Sequence, residues 1–190
     1  DRVRELLDGK DIACVQSTFM NSAALNPSQP EWTFIQQKSG GPLLEQAIHS
    51  LDTIRYVVGD ITTISAIGGN PVVPKSELFT IEDSHAISLH FASGAVGVHL
   101  HSWVVQETVV QLRLFGVDFD LTLDLVPPGS VSGVLDGVSI AFNPRNDDTF
   151  ATQIAGFLTA IKHQNPSIIR SSYRDALATL DVTLNAINSI

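Results

Sequence analysis

Cations and cysteine are both scarce in this sequence, and each shortage limits what the protein can do. Eleven lysines and arginines stand against twenty aspartates and glutamates, which gives a formal net charge of -9. Nucleic-acid binders need clustered cations to follow the phosphates, so this balance argues against a nucleic-acid partner. The single cysteine, Cys14, cannot form an internal disulfide, which is typical of a reducing compartment. We therefore expect a cytoplasmic protein that does not bind nucleic acid.

Long apolar runs and glycine-rich phosphate loops are absent as well. No stretch approaches the ~20 apolar residues of a membrane span, and the opening DRVRELLDGKD does not resemble a signal peptide. Neither G-x-G-x-x-G nor G-x-x-x-x-G-K-[ST] occurs, and these are the loops whose backbone cradles phosphates. The sequence thus predicts a soluble protein, with no membrane partner, that does not itself hold the pyrophosphate of a nucleotide.

The length and apolar content favour one domain over residues 1–190. A chain of 190 residues that is 44% apolar can bury an ordinary core. It begins inside an amphipathic helix and stops on NAINSI without a helix cap, so we expect it to be part of a longer polypeptide.

Hydrophobic periodicity predicts an α+β fold. Helical spacing marks a helix of about four turns from Pro42 to Val58 and two helices near the end of the chain, whereas β-branched and alternating residues mark strands. The predicted segments are strands at 12–20 and within 61–142, a turn-rich hairpin tip at 126–137, and closing helices near 150–161 and 177–187. We expect an open-faced, mainly antiparallel sheet with the helices packed on one face.

The third strand of the 61–142 region shows how the two sheet faces differ. Its apolar side presents Val96, Val98, Leu100 and Val104, and its other side presents Gly97, His99, His101 and Trp103. We expect helices on the apolar face. The face that carries His90, His99 and His101 is expected to pack against a second copy of the chain as a subunit interface, with a metal or proton-relay cluster as the alternative.

The strongest candidates for catalytic residues lie on one side of one predicted helix. In GGPLLEQAIHSLD, Glu45, His49 and Asp52 are spaced by four and three residues, which places them on one side of a helix and away from its apolar face. A carboxylate beside an imidazole is a common arrangement for a general acid or base, although a solvated ion pair has the same spacing. As a metal site the pattern supplies only two ligands.

Four segments together resemble a known family. SGGPLLEQAIHSLDTIRYVVGDITTISA, TIEDSHAISLHFASGAVGVHLHSW, FATQIAGFLTAIKHQ and YRDALATLDVTLNAI are similar to the C-terminal domain of the glucose-fructose oxidoreductase and inositol dehydrogenase (Gfo/Idh/MocA) family. The resemblance covers nearly the whole chain. Its most specific part is the double glycine followed by an acid, three residues, a histidine and a leucine-aspartate pair; the hairpin F-x-S-G-A-x-G is a second match.

The resemblance implies a cofactor and a partner domain. Members of the family hold NAD or NADP on an N-terminal Rossmann domain, which is absent from this chain, and they bind substrate on an open-faced sheet domain. His49 matches the acid/base histidine of the family. Glu45 stands where many members have aspartate, so its carboxylate can reach a different substrate hydroxyl. The lysine of the family's Glu-Lys-Pro motif has no counterpart here.

Two further residues are candidates for substrate binding. Trp32 lies in the long loop before the helix, where its ring can form a wall of a sugar or polyol pocket or anchor the loop in the core. Asp52 can contact substrate or serve as a structural partner for Arg55. We expect the substrate-binding and homo-oligomerisation domain of an NAD(P)-dependent oxidoreductase acting on a sugar, polyol or related hydroxy compound. The alternative is a non-catalytic ligand-sensing or dimerisation module.

Overall fold

The computed structural model describes residues 1–143 and 148–190. Its helical elements are α1 (Arg2–Leu6), α2 (Gln36–Ser39), a π-helical turn (Leu43–Ala47), α3 (Ile48–Val58), α4 (Thr149–Lys162), α5 (Tyr173–Asn188) and the 3-10 turns Ala23–Leu25, Glu31–Phe34 and Pro166–Ile168. The strands are β1 (Cys14–Met20), β2 (Ile61–Gly69), β3 (Ser84–Phe91), β4 (Val96–Ser102), β5 (Val109–Gly116), β6 (Phe119–Asp124), β7 (Ser130–Leu135) and β8 (Val138–Phe142).

These strands form one mostly antiparallel sheet, which confirms the predicted α+β class. In the described part of the chain the strand order is β2-β3-β4-β1-β5-β6-β7-β8. β1 runs parallel to β4 and antiparallel to β5, so the first strand in the sequence lies in the middle of the sheet. The loop that leaves β1 therefore emerges beside the end of β4, and this places the 21–39 segment next to the candidate helix.

The π-helical turn, α3 and α5 cover one face of the sheet. Leu43, Ala47, Leu51 and Ile54 point into this core and are at most 2% exposed, as their helical spacing predicts. Burying a leucine or isoleucine side chain contributes about 1.5–3 kcal/mol, so this apolar face fixes how α3 lies on the sheet. The opposite face of the sheet is open in the described residues.

The structure reverses the predicted role of the two faces of β4. His99, His101 and Trp103 are at most 1% exposed, whereas Val96, Val98 and Leu100 are half exposed on the open face. The register explains this. His99 pairs with Ile87 of β3 and with Ser17 of β1, so all three side chains lie on the same, buried side of the sheet. Alternation along a strand shows which residues share a face but not which face the helices cover.

The predicted trio of His90, His99 and His101 is therefore split. His90 lies on the open face, while His99 and His101 are in the core. A subunit interface built from His99 and His101 is wrong, since their own helices already cover them.

Helix α4 does not pack on the sheet as predicted. Its large apolar side chains remain exposed, and Ala160 is the buried residue of the helix. The turn-rich stretch 126–137 also differs from the prediction, because β7 occupies Ser130–Leu135 and pairs with β6. Gly133 makes that strand possible: its φ is +145°, and a Cβ there would collide with the carbonyl of Asp120.

No helix within residues 1–143 and 148–190 combines the length and the apolar character needed to cross a bilayer.

Candidate functional site

The double glycine shapes the entry to the candidate helix. Gly40 and Gly41 have φ values of +78° and +79°, a region that L side chains rarely adopt. The side-chain amide of Gln36 donates to the carbonyl of Gly40 at 3.0 Å and holds this turn. Pro42 follows with helical geometry, so the chain passes directly from the turn into the π-helical segment.

Glu45 lies in that π-helical turn, and His49 lies in the first turn of α3. A π-helical turn closes i→i+5 hydrogen bonds, so the four-residue spacing does not stack the two side chains as it would in a regular α-helix. Both side chains are exposed, and no hydrogen bond or ion pair joins them in the described part of the chain. Short π-helical segments occur often at functional sites.

Gln46 fixes the other side of the π-helical turn. Its Oε1 accepts hydrogen bonds from Trp103 Nε1 at 2.7 Å and from Asn21 Nδ2 at 2.9 Å. Trp103 is fully buried at the end of β4, and Asn21 opens the loop that contains Trp32. One side chain thus connects the candidate helix, the central strand and the loop. Sequence reasoning missed it, although a glutamine within an apolar helical face is a usable signal.

Asp52 lies against α5 and not in open solvent. Thr179 Oγ1 donates to Asp52 Oδ1 at 2.8 Å and accepts from Arg55 Nη1 at 2.7 Å. Arg55 also pairs with Asp175 at 3.2 Å. Asp52 and Arg55 are therefore linked through the buried hydroxyl of Thr179, and together they attach α3 to α5.

Trp32 lies in the 3-10 turn Glu31–Phe34 and is 49% exposed. Its neighbour Phe34 stacks on Phe79 with ring centroids 5.3 Å apart, and Thr33 is buried. Phe34 therefore anchors the loop, and the indole of Trp32 stays accessible at the surface. The alternative prediction, that Trp32 anchors the loop in the core, is wrong.

Beneath the helix, three histidines lie in the core. His99 Nδ1 is 3.0 Å from Ser17 Oγ, and the ring of His101 lies 5.8 Å from that of His99 and 6.4 Å from that of His85. Burial lowers the pKa of His85 and of His99 to about 4, and it also lowers the pKa of His101 well below its ordinary value. All three are neutral at pH 7.

Among residues 1–143 and 148–190, no group of three or more histidine, cysteine, aspartate or glutamate side chains could hold a metal ion. His49 and Glu45 are exposed on the candidate helix, and the exposed indole of Trp32 lies on the 21–39 loop.

Two curated proteins have sequences similar to this chain. Two uncharacterized Schizosaccharomyces pombe proteins are 27% and 25% identical to the chain, covering 91% and 96% of it. The chain spans about half the length of these relatives, 50% in each case.

Solved structures share the fold. Levoglucosan dehydrogenase in complex with NADH and levoglucosan superposes with a TM-score of 0.85 at 15% identity, covering 98% of this chain and 59% of that one. UDP-N-acetylglucosamine 3-dehydrogenase from Acidithiobacillus ferrooxidans superposes with a TM-score of 0.73 at 17% identity, covering 100% of this chain and 59% of that one. Both names describe dehydrogenases of sugar compounds. The sequence model of the GFO/IDH/MocA C-terminal domain matches residues 1–122, and the chain belongs to that family.

Proposed function

We propose that this chain is the substrate-binding domain of an NAD(P)-dependent oxidoreductase that acts on a hydroxyl group of a sugar, polyol or related compound. The observation that carries the proposal is the exposure of His49 and Glu45 on a helix whose other side is fully buried. Family membership and the sugar dehydrogenases among the similar structures support the same reaction class.

His49 is the proposed acid/base residue. In the direction of oxidation its imidazole accepts the proton of the substrate hydroxyl, and in the direction of reduction it returns that proton to the carbonyl oxygen. Glu45, one π-helical turn earlier, contacts a substrate hydroxyl or orients the imidazole. Gln46 positions both residues because it ties their helix to buried Trp103.

The cofactor would be held mainly outside this chain. No glycine-rich phosphate loop occurs in the sequence, so the pyrophosphate of NAD or NADP fits a separate Rossmann domain better than it fits these residues. When bound, the nicotinamide supplies the acceptor or donor of hydride. His49 lies on an exposed side of its helix, where a second domain can bring substrate and cofactor together.

Trp32 and Asp52 complete the proposed site. The exposed indole of Trp32 offers an apolar face to the C–H bonds of a sugar ring. Asp52 is the weaker candidate for substrate contact, because Thr179 already occupies its Oδ1, and its other oxygen is the one left for a ligand.

The test uses the complete polypeptide that contains this chain. Purified protein is supplied with NAD⁺ or NADP⁺ and a panel of sugars and polyols, and reduced cofactor is followed by absorbance. We expect His49→Asn to lower kcat by about 10²–10⁴-fold, the usual contribution of general acid–base catalysis, and Glu45→Gln to lower it less. Glu107→Gln, at an exposed position in the loop after β4, is the control. Wild-type turnover in His49→Asn would exclude the proposed role.

The alternative function predicts a different result. A ligand-sensing or dimerisation module binds a sugar saturably but reduces no cofactor with any substrate of the panel. Calorimetric titration of the same preparations separates this module from an inactive preparation, which binds nothing.

We also propose that the open sheet face pairs with a second copy of the chain. Val96, Val98 and Leu100 are half exposed there and form an apolar strip of the kind found in homodimer interfaces. Val98→Asp is expected to shift the sedimenting species from dimer to monomer. The control is Val117→Asp, at a fully exposed turn. A wild-type protein that sediments as a monomer at high concentration would contradict the interface.

A further inference from the structure

Helix α4 presents an apolar face that nothing covers in the described part of the chain. Its five large apolar side chains are between 56% and 75% exposed; they are Phe150, Ile154, Phe157, Leu158 and Ile161. Their spacing of four, three, one and three residues places them on one stripe of the helix. A soluble domain rarely leaves so contiguous an apolar patch without a partner.

The helix also has little else to hold it in place. It is 14 residues long, and isolated helices of about this length are marginal in water. The carboxylate of Asp148 caps its first turn, and the 3-10 turn Pro166–Ile168 packs at its other end. These local contacts specify where the helix starts and stops, but they leave its apolar stripe without packing.

The position of α4 relates it to the candidate site. Arg170, in the segment that joins α4 to α5, pairs with the carboxylate of Asp1. The hydroxyl of Tyr56 also donates to that carboxylate, and Tyr56 lies seven residues after His49 on the exposed side of α3. The segment that follows α4, residue 1 and the exposed side of α3 are therefore neighbours.

The composition of α4 is suited to binding an apolar protein surface. It is not suited to binding a charged ligand. Within TFATQIAGFLTAIK, Lys162 is the only charged residue, and it lies at the last position of the helix. The curated relatives are about twice as long as the region that they share with this chain, and the similar solved structures extend beyond it by about two fifths. A second domain is thus available to cover such a face in proteins of this kind. The proposed homodimer uses a separate surface, the open sheet face.

We propose that the apolar face of α4 is the docking surface for the dinucleotide-binding domain of the same polypeptide. This inference rests on the proposed function, because it takes that domain as the source of the nicotinamide. A second domain that docks on α4 and extends along the segment to Arg170 reaches Asp1 and Tyr56, on the side of α3 that exposes His49. Contacts of this type set how two domains stand to each other across a shared site.

The test compares hydrogen exchange in the complete polypeptide and in the same polypeptide carrying single substitutions. We expect the amides of α4 to be protected in the wild type and to exchange at least tenfold faster in Ile154→Glu and in Phe157→Glu, since a carboxylate disrupts an apolar contact. Gln153→Glu is the matched control, because Gln153 is an exposed polar residue of the same helix. Its α4 amides are expected to keep their protection.

A second measurement identifies what covers the helix. Ile154→Cys carrying a photoreactive maleimide is irradiated, and the crosslinked peptides are identified by mass spectrometry. Crosslinks to the dinucleotide-binding domain within one chain support the proposal. Crosslinks between two chains, or α4 amides that are unprotected in the wild type, overturn it.

The failure of this inference differs from the failure of the proposed function. If the α4 amides are protected and the crosslinks are intramolecular, but the protein reduces no cofactor, the docking surface is supported and the proposed enzymatic function is refuted. If turnover depends on His49 but the α4 amides exchange freely, the proposed enzymatic function is supported and the docking surface is refuted.

Discussion

Gln46 Oε1 accepts a hydrogen bond of 2.7 Å from the indole nitrogen of Trp103, which is fully buried. The same oxygen accepts from Asn21 at 2.9 Å. Because Gln46 lies between Glu45 and His49 in sequence, this pair of bonds connects the orientation of the candidate site to the core of the sheet.

Replacing this glutamine is expected to cost stability and activity together. Gln46→Leu leaves the buried Trp103 N–H without an acceptor, and an unsatisfied buried donor costs about 1–3 kcal/mol. Urea unfolding measures the free energy of unfolding, and Gln106→Leu, at an exposed loop position, is the control. In the complete polypeptide kcat should fall while the control keeps both values. A Gln46→Leu protein as stable as the wild type would show that the hydrogen bond contributes nothing.

Two substitutions separate the structural and substrate-binding roles of Asp52. Thr179→Val removes the hydroxyl that Asp52 and Arg55 share, and the loss of these two hydrogen bonds should lower the free energy of unfolding by about 1–3 kcal/mol. Asp52→Asn keeps the acceptor oxygen for Thr179 but removes the charge. If Asp52 contacts substrate, Asp52→Asn raises KM and Thr179→Val does not. Equal KM values in both variants and the wild type would leave Asp52 with a structural role alone.

The turn before the helix should tolerate no side chain. Gly41→Ala places a Cβ against Gln36 Oε1 and forces a left-handed alanine, which costs about 1–2 kcal/mol from the backbone alone. Displacing Gln36 also weakens its bond to the carbonyl of Gly40.

The control for that prediction is Gly137→Ala. Gly137 has a similar φ of +77° but no atom within 4 Å of a new Cβ, so it reports the backbone cost without the contact. Thermal unfolding of both variants should show the larger loss for Gly41→Ala. Equal losses would mean that Gln36 moves away without consequence.

The buried histidines predict loss of stability in acid. Burial lowers the pKa of His99 from 6.5 to about 4. Between these two pH values, His99 is therefore protonated in the unfolded chain and neutral in the folded chain. The contribution of His99 is therefore complete above pH 6.5 and decreases as the pH falls toward 4. At pH 5 the loss is about 2 kcal/mol, from 1.36 kcal/mol per pH unit.

His99→Gln tests this pH dependence. The amide can still bond to Ser17 but does not titrate in this range. The difference in unfolding free energy between variant and wild type at pH 8 reports the change in packing, and its shift between pH 8 and pH 5 reports the proton. We expect that shift to favour the variant by about 2 kcal/mol. A difference that stays constant with pH would contradict the prediction.

Several parts of the fold and the site were predictable from local patterns. Apolar spacing identified the helix that carries Leu51 and Ile54, alternation identified β3 to β5, and the doubled glycine with its following acid and histidine indicated the family. The π-helical turn at Leu43–Ala47 was not predictable, because apolar residues at that spacing fit an α-helix equally well. Gln46 was missed for a related reason: its partners, Trp103 and Asn21, are distant in sequence.

The sequence by itself determined which residues share a face of each helix and strand, since 3.6-residue and two-residue periods follow from backbone geometry alone. Only the tertiary structure decided which sheet face is buried. β1 inserts between β4 and β5, and Gly97 lies so close to Val15 that a Cβ there would be 3.0 Å from the Val15 Cβ. The helices cover the side of the sheet on which Gly97 and Val15 lie. His99 and His101 are on that side and belong to the core, whereas Val98 is on the other side and is at the surface. Burial is a property of long-range packing, and no local pattern in one strand specifies it.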